Sequence, residues 1–282
     1  MSLLGGTRDR LVAYGDPPKL KALRHVARSR FAEYPSIYLP FARRRYPGPS
    51  PKVIGSETEL VIDGYTRSAC TFAVYAFQLA QPKPVRLAHH LHAPAQLIEA
   101  ARRRVPAIVV IREPEEALLS QVIREPHVSI AGALTAYERF YARLLPYARS
   151  LVAGEFDEVT HDFGSVIRRV NDRFGTGFTA FDPSEDNVRR CFELIRERPT
   201  TDPNWRNLVL GFESGTVTLA ELLARRPHDR PDVPGDQETW IPSAERNEAK
   251  SALRERWHAP EFASQRARAN STYHEFLRQT HG

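Results

Sequence analysis

The residues best suited to handling an anion lie between Glu59 and Phe72, in the run E-L-V-I-D-G-Y-T-R-S-A-C-T-F. Leu60, Val61 and Ile62 are an apolar strand-forming run, Gly64 to Ala69 a loop of small residues with one cation, and Thr71 onward reads as a helix. A strand, a loop and a helix N-terminus together present backbone N–H groups and the positive end of a helix dipole, so the junction suits a phosphate. In frame it approaches G-x-x-x-x-G-K-[ST]: Gly64 holds the first position, Ala69 and Cys70 stand where Gly and Lys belong, and Thr71 keeps the hydroxyl. The lysine is missing, and Arg67 supplies the loop's cation instead. A surface turn with a helix cap is the competing reading of Arg67 and Thr71.

A second group follows the strand A-I-V-V-I-R, expected over Ala107 to Arg112. Pro114 is placed to start a helix, Glu115 and Glu116 sit in its first turn, and Ser120 comes about two turns in. An arginine ending a buried strand has a planar fork that grips phosphate, and a hydroxyl on the next helix adds a donor. Alternatively, Arg112 pairs with a helix carboxylate and Ser120 is a packing residue.

Between these groups, L-A-H-H-L-H-A-P carries His89, His90 and His92. Zinc is the obvious reading of three imidazoles, but no nearby Cys, Asp or Glu completes a ligand set, and a continuing strand would point His89 and His90 to opposite sides. An imidazole near its ordinary pKa is a suitable general base.

Taken in order, the two motifs resemble sulfotransferases that use 3′-phosphoadenosine 5′-phosphosulfate. Y-T-R-S-A-C-T-F is similar to their 5′-phosphosulfate loop, and R-E-P-E-E-A-L-L-S to their 3′-phosphate element, together covering about residues 59–178. The resemblance implies donor binding by Arg67, Ser68, Ala69, Cys70, Thr71 and Phe72, with Arg112 and Ser120 on the 3′-phosphate. His90-Leu91 matches the His-Leu of the family's T-H-L-P segment, whose His is the base. His89 replaces Thr and His92 replaces Pro, so His90 is the first choice and His92 the other. G-E-F-D-E-V resembles a segment whose aromatic lies near adenine, which puts Phe156 there unless it only completes the core. W-I-P-S-A-E-R-N-E-A-K lacks the family's R-K-G-x-x-G-x-W form, but Arg246 and Lys250 are the candidates to cover the 3′-phosphate, on a helix capped by Ser243.

Those residues need a scaffold. The strand, helix, strand rhythm over 60–112 predicts parallel βαβ units, with ligands beyond the carboxyl ends of the strands. The expected fold is a three-layer α/β/α sandwich with a central parallel sheet, P-loop-like, with a helical C-terminal part. It forms a single domain over 1–282, with a core at about 52–180 and a helical or lid region at 181–282. A packing helix is expected over Pro18 to Glu33, an irregular segment over Tyr34 to Pro51, strands over Pro84 to His89 and Ser150 to Phe156, and helices over Pro94 to Arg104 and Val128 to Tyr147. Further helices are expected over Phe163 to Phe174 with Gly175 as C-cap, from Ser184 to about Arg198, and over Phe262 to Leu277. Thr200 to Asn204 and Arg225 to Gly235 read as connections.

Composition agrees with a globular α/β protein: 282 residues, 41% hydrophobic and 26% charged. No apolar run reaches the length of a membrane span and no signal-peptide core is visible at the start, so the cytoplasm is expected. Cys70 and Cys191 are too few for a disulfide framework or a multi-cysteine zinc site. Net charge is +6, yet the clusters Arg43 to Arg45 and Arg102 to Arg104 read as solvated helix faces, with no nucleic-acid partner expected.

The expected activity is metal-free sulfuryl transfer to a hydroxyl or amine of a small molecule, glycan or lipid. The alternatives are a small-molecule kinase using ATP and magnesium, and a non-catalytic nucleotide-binding module.

Overall fold

The computed structural model describes residues 18–46, 52–198, 202–226 and 244–281. Its centre is a four-stranded parallel sheet of β1 (Leu60–Gly64), β2 (Leu87–His89), β3 (Ala107–Ile111) and β4 (Val152–Glu155), in the order β2-β1-β3-β4. Each strand is short and apolar because both faces are covered, as parallel sheets require. Alternation divides the residues: Val61, Ala107, Val109 and Ile111 join one apolar cluster, and Leu60, Ile62, Ile108 and Val110 the other.

Helices α1 (Pro18–Phe31) and α2 (Pro35–Arg45) precede the sheet, α3 (Cys70–Ala80) follows β1, and α4 (Pro94–Arg103) follows β2. Between β3 and β4 come α5 (Pro114–Arg124) and α6 (Ile130–Leu144), and beyond β4 come α7 (Phe156–His161) and α8 (Phe163–Phe174). The remaining helices are α9 (Glu185–Glu197), α10 (Pro203–Ser214), α11 (Leu219–Ala224), α12 (Ala244–Trp257) and α13 (Ala263–His281). Leu97 of α4, Leu118 of α5, Leu134 of α6 and Phe276 of α13 cover one face of the sheet, and Val74 of α3, Ile167 of α8, Leu194 of α9 and Phe212 of α10 the other. This is the expected α/β/α layering, and the C-terminal helices belong to both layers. No helix among the described residues is long and apolar enough to cross a membrane.

Several boundaries differ from expectation for physical reasons. The segment after Tyr34 is not irregular: α2 runs through Pro40, because Pro35 fits the first helical position and Tyr38, Leu39 and Ala42 bury one face. Strand β2 begins only at Leu87, since the carbonyl of Val85 accepts instead from the side-chain amide of Gln78 at 2.8 Å. Phe156 opens α7 and does not end a strand. The long helix expected over 128–147 starts at Ile130, where Ser129 Oγ accepts from the N–H of Gly132, and gives way to a 3₁₀ turn over Leu145–Ser150. Gly175 is the C-cap of α8, with φ of +66°. Ser184 precedes α9 without a side-chain cap bond, and α13 continues four residues past Leu277, to His281. Ser243, most of the two expected connections after residue 199, and the side chain of Arg246 lie outside the described residues.

Candidate functional site

Strand β1 pairs with β2 on one side and β3 on the other, so the segments leaving their carboxyl ends open a crevice between them. The loop after β1 is built for close approach. A Cβ on Gly64 would lie 2.0 Å from the carbonyl oxygen of Val110, so the strand before the loop requires glycine. Arg67 and Ala69 adopt left-handed backbone with φ of 68° and 74°, and Ala69 does so where the phosphate-loop pattern places a glycine.

A cavity of about 490 Å³ lies in front of this loop. Of the residues expected at a donor site, Arg67, Ala69, Cys70, Thr71 and Phe72 line it from the loop and α3, and Arg112, Ser120 and Phe156 from the ends of β3 and β4 and from α5. His90, His92 and Lys250 complete the expected lining residues. Ser68, also expected there, is buried beneath the loop and does not line the cavity. The two sequence motifs touch: Arg67 Nε donates to Ser120 Oγ at 3.0 Å, and Arg112 Nη1 donates to the carbonyl of Arg67 at 3.3 Å. The Arg112 guanidinium lies 3.8 Å from the ring centroid of Phe156.

Arg112 is also paired with a helix carboxylate, Glu116, at 3.2 Å. Lys250 Nζ donates to the same carboxylate at 2.6 Å and Arg254 Nη2 at 2.7 Å, which ties α12 to α5. Burial alone would raise the pKa of Glu116, but the Lys250 ammonium, with Arg112 and Arg254, holds it below the ordinary value. Three cations converge on one carboxylate at the cavity edge.

The imidazole loop is held from below. Asp63, fully buried in β1, accepts from the N–H groups of Gly64, Leu91 and His92 and from Gln96 Nε2. Burial pushes its pKa up to about 7 against the pull of these donors. Fixed this way, His90 and His92 take positive φ, 53° and 48°, and their rings turn toward the cavity.

The strand ends at His89, so His89 and His90 do not diverge: their Nδ1 atoms are 2.6 Å apart. The expectation that no carboxylate approaches them also fails, because α10 brings Glu213 to the cluster. One ligand atom of each of His89, His90 and Glu213 lies within 4.8 Å of the others, and Asp63, Cys70 and His92 form a second such group. Their present partners disfavour a dication. Glu213 is paired with Arg198 and accepts from Tyr75 OH, Lys52 adds another positive charge nearby, and Asp63 already accepts from four N–H groups.

These partners bear on the tautomers. His89 Nε2 and Glu213 Oε2 are both buried without a hydrogen-bond partner, and a proton on His89 Nε2 is the arrangement that the nearby charge of Glu213 favours. His89 Nδ1 then accepts from His90 Nδ1–H, which leaves the lone pair of His90 Nε2 in the cavity, 3.0 Å from Thr71 Oγ1. All three imidazoles are held neutral. Burial lowers His89 to about 3, His92 to about 4, and His90 well below the usual histidine value, with Arg198 and the neighbouring rings adding to the effect on His90.

A smaller cavity of about 100 Å³ adjoins the first, sharing Thr66 and His92 with it. Its far wall comes from α1 and α6, through His25, Ser29 and Phe140.

Sequence reasoning missed Asp63, Lys52, Arg198 and Glu213, and also Glu116 as the carboxylate that gathers the cations. For Glu213 a signal existed: it follows Val209 and Phe212 on the apolar side of α10, where an acid is out of place. Comparison with protein-family models, curated proteins and solved structures finds no match to this chain.

Proposed function

We propose that the protein transfers a sulfuryl group from 3′-phosphoadenosine 5′-phosphosulfate to an acceptor hydroxyl. The observation that carries this reading is the bond from Arg67 to Ser120, which places the loop cation and the second motif's hydroxyl on one cavity wall. With Arg112 and Lys250 on the same cavity, that wall offers three cations to a nucleotide bearing two separate anionic groups. The cavity volume suits a mononucleotide. Arg112 over Phe156 makes a flat surface for a base or a sugar phosphate.

The donor supplies the reactive S–O bond. The chain's own residues do the rest. Thr66 and His92 line both cavities, so an acceptor held in the smaller one lies beside the donor. The acceptor oxygen forms a bond to sulfur as the bond from sulfur to the bridging oxygen breaks, and the acceptor proton passes to His90 Nε2. Arg67, Thr71 and the loop N–H groups meet the charge left on the bridging oxygen. A kinase reading is weaker here, since the carboxylate on β1, Asp63, is consumed in holding the imidazole loop.

Calorimetry tests the donor assignment. Adenosine 3′,5′-bisphosphate should bind much more tightly than AMP, and labelled donor should yield a product in an acceptor screen. Equal affinity for the two nucleotides would defeat it.

A further inference from the structure

Among the described residues, every large hydrophobic side chain that is exposed lies between Leu20 and Tyr46. In α1 these are Leu20, Leu23, Val26 and Phe31, with Leu23 65% and Phe31 56% exposed. In α2, Ile37 and Phe41 stand one turn apart at 56% and 63%, flanked by Tyr34 and Tyr46. Elsewhere among the described residues such groups are hidden. An apolar patch confined to one pair of helices marks a contact surface.

Its charge says with what. Residues 20–46 carry seven Lys or Arg and a single acid, Glu33. Glu33 is buried and ion-paired with Arg139 at 2.6 Å, so it does not offset the charge outside. Lys21, Arg30, Arg44 and Arg45 are exposed among the apolar groups. We infer that the face formed by α1 and α2 docks the protein on an anionic lipid surface. Exposed Leu, Ile, Val and Phe enter the boundary between headgroups and acyl chains, and the cations meet lipid phosphates. A second copy of the chain would set two positive surfaces against each other. A nucleic acid would leave the aliphatic side chains against phosphates.

The opposite side of α1 supports the placement. His25, Ser29 and Ala32 recur at helical spacing and line the smaller cavity, facing away from Leu20, Leu23 and Phe31. Arg28 anchors the helix to the reactive rim, donating through Nη2 to the carbonyl of Leu91 at 3.0 Å and through Nε to Tyr38 OH at 3.1 Å. One helix thus separates the lipid-facing surface from the cavity that reaches His92. Docking itself does not depend on which reaction the site performs.

The test is co-sedimentation of the full chain with vesicles of phosphatidylcholine alone and of phosphatidylcholine mixed with phosphatidylglycerol. Binding is expected to the mixed vesicles only, weakening with salt. Arg44→Gln with Arg45→Gln should lower the partition coefficient by about tenfold or more. Leu23→Ser with Phe41→Ser should lower it by about tenfold at unchanged charge. All four side chains are exposed, so melting temperatures should stay near wild type. No binding to the mixed vesicles, equal binding to phosphatidylcholine alone, or variants that sediment like wild type would each overturn the inference. So would a solution dimer that Phe41→Ser converts to monomer, or an oligonucleotide bound where vesicles are not.

Discussion

His89 and His90, adjacent in sequence, meet through their Nδ1 atoms at 2.6 Å, a contact that a continuing strand would forbid. It arises because β2 stops at His89 and Asp63 pulls the next backbone N–H groups inward. The two rings must then share one proton between their Nδ1 atoms. With Glu213 favouring the proton on His89 Nε2, the consequence is an unprotonated His90 Nε2 in the cavity.

His90→Ala should lower turnover by roughly 10²–10⁴-fold and leave the affinity for adenosine 3′,5′-bisphosphate near wild type. Substituting His92 should do much less. Should His92→Ala be the inactive variant and His90→Ala the active one, the base stands at the mouth of the smaller cavity instead.

Glu116 now occupies Arg112 and Lys250, the two cavity cations that a 3′-phosphate would need. Its replacement by Gln should tighten binding of the bisphosphate by roughly tenfold, while Arg112→Ala should cost on the order of 1.5–3 kcal/mol of the same affinity. AMP should be indifferent to both. If Glu116→Gln weakens the bisphosphate, Glu116 positions the cations and does not compete for them.

Much of this site was legible in the sequence because it is local. The strand, loop and helix from Leu60 to Ala80 and the step from Arg112 to Ser120 are contiguous, and a parallel sheet brings such segments to one rim by rule. What was not legible comes from distant segments or from backbone direction. Glu213 and Arg198 reach His89 from helices far along the chain, and no spacing announces that. The turn of His90 depends on a buried Asp63 accepting from Leu91 and His92 in the loop after the next strand. The segment from Tyr34, rich in aromatics, Pro and Arg, reads as irregular, whereas Pro35 starts α2 and the burial of Tyr38 and Leu39 offsets the bond lost at Pro40.

The imidazoles and their carboxylates are read as hydrogen-bonded groups and not as metal ligands. Transfer activity should therefore survive a chelator, and metal analysis should find no stoichiometric zinc. One zinc per chain, lost in both His89→Ala and Glu213→Gln, would restore the metal reading.

The same cluster should make folding sensitive to acid. His89 and His92 have folded pKa values of about 3 and 4, and that of His90 is also depressed, so below about pH 6.5 the unfolded chain takes up protons that the folded one refuses. Asp63 acts in the opposite sense: its folded value of about 7 lies above the unfolded one, so it makes the folded state lose stability as pH rises toward and through 7. Glu213 favours charged His89 while burial, Lys52 and Arg198 oppose it, and opposition wins. Three imidazoles against one carboxyl leave a net release of roughly two protons on folding at about pH 5, a slope of about 2–3 kcal/mol per pH unit. Stability should thus rise steeply from pH 4.5 to about 6.5 and then level or fall slightly by pH 8. Urea midpoints measured across that range check both limbs. A midpoint that does not move between pH 5 and 6.5 would mean that the three rings accept protons in the folded state, and the neutral His90 assigned here would be wrong.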